Sequence, residues 1–296
     1  MKRIIFVSVV CLSVLPACAG GSKQQEVEPP TIELPSIPGN LTEPTERADY
    51  LITHYWENLD FTNTVKSHDK DLMEQSFVNF LSVLPYASSD EVVTQGFSIL
   101  LDMAYTDPKS YRDITVLAED YLYDPNSPML SEDQYICFLK ALLRFGHASE
   151  AQLARISDRI EMVSKNRPGT KAADFSFETR EGQKSSLRES LPPEGSQLML
   201  IFFDPDCENC DEVLGRLKAD EEVSAILKKG DIRILAVYSG DNRKAWERRA
   251  SDFPAEWTVG INENEIDEGE LYFLPAMPTI YLLDSEGKVI QKDVRY

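Results

Sequence analysis

The residues of this chain with the most chemistry in them are two cysteines three positions apart. They lie in the run Phe202-Phe203-Asp204-Pro205-Asp206-Cys207-Glu208-Asn209-Cys210. The pair stands where an apolar stretch gives way to a helix-like one. A thiol delivered to a helix start meets unpaired backbone N–H groups and the positive end of the helix dipole. Both favour the thiolate, which is the nucleophilic form. A second thiol three residues on lies on the same side of the first turn, so it can attack a mixed disulfide formed by the first. The spacing therefore points to dithiol–disulfide exchange.

Other chemistries fit the residues less well. A peroxiredoxin needs Thr or Ser three residues before its cysteine and Pro seven before. Asp204 and Leu200 hold those positions. A structural zinc site needs about four ligands, and the histidines (His54, His68, His147) are scattered. Copper delivery calls for a longer cysteine spacing and a nearby His. A purely structural disulfide stays open as an alternative. Cys137, beside Ile136, Phe138 and Leu139 on an apolar helix, reads as a buried small hydrophobe. The acid-rich stretch from Asn262 to Glu270 lacks the ligand spacing and turn Gly of a calcium loop and reads as a solvated loop. Neither a Ser/His/Asp set nor a phosphate-cradling Gly loop is visible, and the chemistry calls for no cofactor.

Three segments lead up to the pair. Lys2-Arg3, an apolar run from Ile4 to Leu15, and Leu15-Pro16-Ala17-Cys18 form an export signal over residues 1–17. The run is short for a bilayer span. Its last four residues resemble the lipobox of bacterial lipoproteins, which implies lipidation of Cys18 and a membrane anchor. Ala19 after it weakly favours the outer membrane. Residues 18–45 are Gly/Ser-rich, then Pro-rich (Pro29, Pro30, Pro35, Pro38, Pro44), and read as an extended tether.

Residues 46–165 carry helical periodicity. Ile52, Tyr55, Trp56 and Leu59 form one stripe, Phe77, Phe80, Leu81 and Leu84 another, and Val93, Phe97, Leu100 and Leu101 a third. Ser131 with Gln134, and Ser149 with Gln152, have capping-box spacing. Five or six helices are expected, enough for a small all-α bundle. At Asn166-Arg167-Pro168-Gly169 the composition changes, and from 166 to 296 strands alternate with helices. Leu198–Phe203 is continuously apolar, as a strand covered on both faces must be. One helix is expected from about Asn209 to Lys229, then a strand over Ile232–Tyr238. The charge of −20 argues against nucleic acid or an anionic membrane surface as a direct partner.

Two further motifs join the cysteine pair. Ala276-Met277-Pro278-Thr279-Ile280 puts a proline directly before a strand, about 70 residues downstream. The lead-in Pro168-Gly169-Thr170-Lys171-Ala172-Ala173-Asp174-Phe175 is followed by Gly182 and Leu187. With these, residues 166–296 resemble a thioredoxin-fold domain of the TlpA/ResA-like type. Residues 46–165 resemble, less specifically, the helical domain found ahead of such domains in exported lipoproteins.

The resemblance implies an α/β thioredoxin-like fold behind an all-α domain. It implies a thiol–disulfide oxidoreductase with Cys207 as exposed nucleophile and Cys210 as resolving thiol. It implies a cis-proline at Pro278, with Met277, Pro278 and Thr279 shaping the substrate groove. Partners would be protein or peptide disulfides, an upstream thiol–disulfide electron donor, and the membrane through the lipid on Cys18. The place would be the cell envelope, facing the periplasm.

The chain also departs from the family's pattern. Ile201 and Val213 stand where proton-handling acids are usual. Asp206, Glu208, Asp211 and Glu212 crowd the motif and oppose the helix's preference for the thiolate, which suggests a reductase or isomerase rather than a strong oxidant. The family's last helix, which covers one sheet face, has no counterpart before Tyr296. These departures motivate a second expectation of another class: a non-catalytic binding or scaffold lipoprotein with a thioredoxin-like platform.

Overall fold

The computed structural model describes residues 30–262, 266 and 271–294. The signal segment 1–17, Cys18 and most of the acidic loop 262–270 lie outside the described residues.

The helical part comprises α1 (Pro44–His54), α2 (Thr64–Ser67), α3 (Lys70–Val83), α4 (Asp90–Ala104), α5 (Pro108–Leu122), α6 (Glu132–Arg144) and α7 (Glu150–Val163). Its starts are written in the sequence. Asp69, Ser89, Asp107, Ser131 and Ser149 each cap a helix by accepting a backbone N–H through the side chain. Ser149 and Gln152 complete a reciprocal capping box. At Ser131 only the N–H of Gln134 is taken up. The stripes converge on one core, where Phe80, Phe97 and Phe138 pack edge to face in sequence. Tyr55, Trp56 and Leu59 are buried as their spacing requires, yet α1 stops at His54 and turns carry them onward. Within the Pro-rich stretch, Ile32 is buried in this core, and its backbone N–H donates to Ser76 Oγ at 3.2 Å. Apolar burial draws that part of the segment onto the bundle.

The second part follows as β1 (Ser176–Thr179), β2 (Lys184–Ser186), α8 (Leu187–Ser190), β3 (Gln197–Phe203), α9 (Glu208–Ala219), α10 (Glu221–Lys229), β4 (Ile232–Ser239), α11 (Arg243–Ala250), β5 (Thr258–Asn262), β6 (Thr279–Leu283) and β7 (Val289–Lys292). The strands form one sheet in the order β2-β1-β5-β4-β3-β6-β7. β3 pairs parallel with β4 and antiparallel with β6, so it is central. One expected helix is two. Asp220 takes an extended backbone and its carboxylate accepts the N–H groups of Glu222 and Val223, which ends α9 and starts α10.

Both faces of the sheet are covered. Ile201 and Phe203 face α9, α11, Phe253 and Trp257. Leu198, Leu200 and Phe202 face Phe175, Leu187 and Tyr272. The outer edge of β7 is paired with the lead-in: Gly169 N–H donates to Val289 O, and Val289 N–H to Thr170 O, both at 2.8 Å.

The two parts interlock beside β6 and β7. Phe273 is buried in the helical core and stacks on Tyr123, ring centres 5.9 Å apart. Lys292, with 3% of its side chain exposed, places Nζ 2.5 Å from Glu132 Oε1 and lies against the rings of Phe273 and Tyr281. Arg167 pairs with Asp133. Asn166, in the left-handed region at φ 52°, ties the junction down: its side chain donates to Leu271 O and accepts from Ala173 N–H, both at 2.8 Å. Burial pushes the Glu132 carboxyl above the ordinary range, and Lys292 pulls it back. Removing only the cation strands a buried acid. Lys292→Met is expected to cost about 3 kcal/mol in urea unfolding at pH 7. Because a raised carboxyl favours the native state when protonated, that loss shrinks as pH falls toward the ordinary carboxylate range. Lys292→Met with Glu132→Met recovers much of it.

Candidate active site

β3 ends at Phe203, and the turn Asp204-Pro205-Asp206 brings Cys207 to the start of α9. Asp204 Oδ1 accepts the N–H of Asp206 at 2.8 Å and shapes the turn. Cys207 is itself the N-cap: its Sγ accepts the backbone N–H of Cys210 at 3.3 Å. That contact puts the sulfur at the positive end of the helix. Cys207 is half-buried, whereas Cys210 is 1% exposed and packs with Ile201, Val213 and Leu214. Both are free thiols.

The proline segment lies against the pair. The Met277–Pro278 bond is cis. Cys207 Sγ lies 3.6 Å from Met277 O, as donor to it. Asn209 Nδ2 donates to the same carbonyl at 3.1 Å. Thr279 is buried at the start of β6, and its hydroxyl donates to Ala276 O at 2.6 Å. Cys207, Cys210, Met277, Pro278 and Thr279 are thus gathered at one end of the sheet. Cys137 is far from this group in the fold, buried on α6, and burial raises its pKa.

The electrostatics separate the two thiols. Burial pushes the Cys210 thiol up to about 12, and the charges of Cys207 and Asp204 add to the effect, while a backbone hydrogen bond from Asp204 opposes it. Ile201 and Val213 are apolar core, so they add to the dry surroundings of Cys210. The four crowding acids are not equivalent. Asp211 pairs with Arg249 on α11, and Glu212 with Arg216 at 3.2 Å. Asp206 and Glu208 are exposed and form no ion pair among the described residues. Among the described residues no group of three His, Cys, Asp or Glu is arranged to hold a metal.

Sequence reasoning missed three contributors. Asn209 reaches Met277 O, for which no local signal exists. Asp204 acts on Cys210, and an Asp-Pro turn behind a buried strand is a signal that could have found it. Pro125, Asn126 and Leu130, from the loop between α5 and α6, share a cavity of about 320 Å³ with Asn209, Val213, Pro278 and Thr279.

Comparison with known proteins places these features in context. Residues 17–166 match the model of a domain of unknown function, DUF5106. Residues 187–294 match that of a thioredoxin-like domain. No curated protein matches. A solved thioredoxin-like protein from Bacteroides caccae is 33% identical, with 89% of this chain and 94% of that chain covered and a TM-score of 0.78. A conserved protein of unknown function from Bacteroides fragilis is 37% identical over 44% of this chain and 93% of that chain, with a TM-score of 0.41. A thiol–disulfide oxidoreductase from the same species is 23% identical over 43% and 92%, with a TM-score of 0.37.

Exposure and pKa together predict which thiol reacts. Of the three described cysteines, iodoacetamide at pH 8 is expected to modify Cys207 in the native reduced protein and to leave Cys210 and Cys137 intact, as read by peptide mass mapping. Equal labelling of Cys210 would contradict this geometry.

Proposed function

We propose, from the premise that this chain belongs to the DUF5106 family and carries a thioredoxin-like domain behind that helical part, that it is an extracytoplasmic thiol–disulfide oxidoreductase reducing or isomerising protein disulfides. The observation that carries the reading is the half-buried Cys207 sulfur at the N-cap of α9, 3.6 Å from Met277 O and backed by the buried thiol of Cys210.

The chemistry follows from that arrangement. The Cys207 thiolate attacks one sulfur of a substrate disulfide, and a mixed disulfide forms as the other substrate sulfur leaves and takes a proton. Cys210 then gives up its proton and attacks Cys207 Sγ. The Cys207–Cys210 disulfide forms, the second substrate thiol leaves, and two electrons have passed to the substrate. An upstream dithiol donor resets the pair. Desolvation holds Cys210 as the neutral thiol in the reduced protein, which leaves Cys207 to make the first attack. In the free protein Asn209 occupies the Met277 carbonyl; a substrate backbone N–H takes its place by strand addition.

The N-terminal signal and Cys18 support export and a lipid anchor facing the periplasm. No helix among the described residues is long and apolar enough to cross a membrane.

The reading is tested by trapping. A Cys210→Ser variant is expected to accumulate mixed disulfides through Cys207 in envelope extracts, visible on non-reducing gels and lost on reduction. Cys207→Ser is expected to abolish reduction of a model disulfide such as that of insulin. If the first variant traps nothing and the wild-type protein reduces nothing, the scaffold reading replaces this one.

A further inference from the structure

The helical domain does more at the redox end than support the sheet. Its α5–α6 loop supplies Pro125, Asn126 and Leu130 to one wall of the cavity, and the proline segment, Val213, Asp293 and Val294 supply the other. The loop is preformed. Ser131 N–H donates to Leu122 O at 3.1 Å, and Ser127 Oγ donates to Tyr121 O at 2.6 Å. On one side Tyr123 stacks on Phe273, and on the other Glu132 holds Lys292, so the loop cannot drift from the cis-proline without breaking the junction between domains.

The lining gives the cavity a chemistry. Leu130, Val213, Ile280 and Val294 are apolar, and the volume of about 320 Å³ accommodates a Leu- or Phe-sized side chain with its backbone. The rim is acidic: Asp293 lines it, and the exposed Asp206 and Glu208, which form no ion pair among the described residues, flank the thiol. The cavity adjoins the redox pair: Asn209 and Pro278 line it, and Asn209 donates to the same Met277 carbonyl that Cys207 contacts.

We propose that the α5–α6 loop is the specificity wall of this groove, selecting disulfide-bearing polypeptide segments that place a large apolar side chain next to the attacked cysteine within a basic stretch. The proposal rests on the redox reading of Cys207. The apolar side chain seats against Leu130 and Val213, and cationic residues beyond it face the acidic rim.

Four peptides test it, each with one cysteine joined in a disulfide to thionitrobenzoate. They carry Leu or Gly beside the cysteine and Lys or Glu beyond. Single-turnover attack by the reduced protein forms the Cys207–peptide disulfide and releases coloured thionitrobenzoate. The wild type is expected to react about tenfold faster with the Leu than with the Gly peptides, and faster with Lys than with Glu by a margin that salt erodes. Leu130→Glu is expected to bring the Leu-to-Gly ratio near unity. A wild type without the Leu preference overturns the proposal, independently of how any variant folds. A preference that persists in a folded Leu130→Glu protein removes the loop from selection and overturns it as well. In both cases the redox reading stands. A wild type that reacts with none of the four overturns that reading itself.

Discussion

A sulfur atom held at the end of a helix is the constraint around which the rest of the molecule is arranged. Cys207 caps α9 through its own side chain, and the N–H it accepts belongs to the residue that carries the second thiol. The two sulfurs are therefore set in relation to each other by the helix's first turn. That turn can stand at a fixed point only because β3, which delivers it, is paired on both sides and buried on both faces. A strand so enclosed has no freedom to move its last residue. The proline segment is placed by the same strand, since β6 is its antiparallel neighbour.

Dryness on one side of the site and water on the other give the two thiols different characters. Cys210 is enclosed by Ile201, Val213 and Leu214, and a thiolate there would lack both solvent and a cation. Cys207 looks out of the fold with the helix behind it. The absence of acids at positions 201 and 213 thus makes the inner thiol harder to ionise. The crowding acids act less than their number suggests, because Arg249 and Arg216 take up two of them.

The junction between domains couples stability to the site. Lys292 is nearly enclosed, with Glu132 at its ammonium and two rings along its flank. A buried ion pair adds little net stability, but breaking it is costly, so it enforces one docking geometry. The same contact leaves the α5–α6 loop facing the cis-proline. The helical domain stands beside α9 and the β6–β7 end of the sheet, and the lead-in covers the β7 edge itself. Between them they enclose the β6–β7 side of the sheet.

The division into a helical part and an α/β part, the helix starts at Ser131 and Ser149, the buried strand and the thiol at a helix N-terminus were legible in the sequence. All depend on residues within a turn or a strand of each other, and periodicity and capping are local properties. The break at Asp220 was missed, because the apolar residues on both sides continue the helical pattern across the Asp that caps the second helix. Other features were decided by tertiary structure alone. Ile32 is drawn onto the bundle, Arg249 neutralises Asp211, Asn209 holds Met277 O, Leu130 faces Pro278, and Lys292 meets Glu132, 160 residues away. Such contacts depend on how two finished surfaces dock. No local pattern encodes that, because the partners come together only once each core has formed.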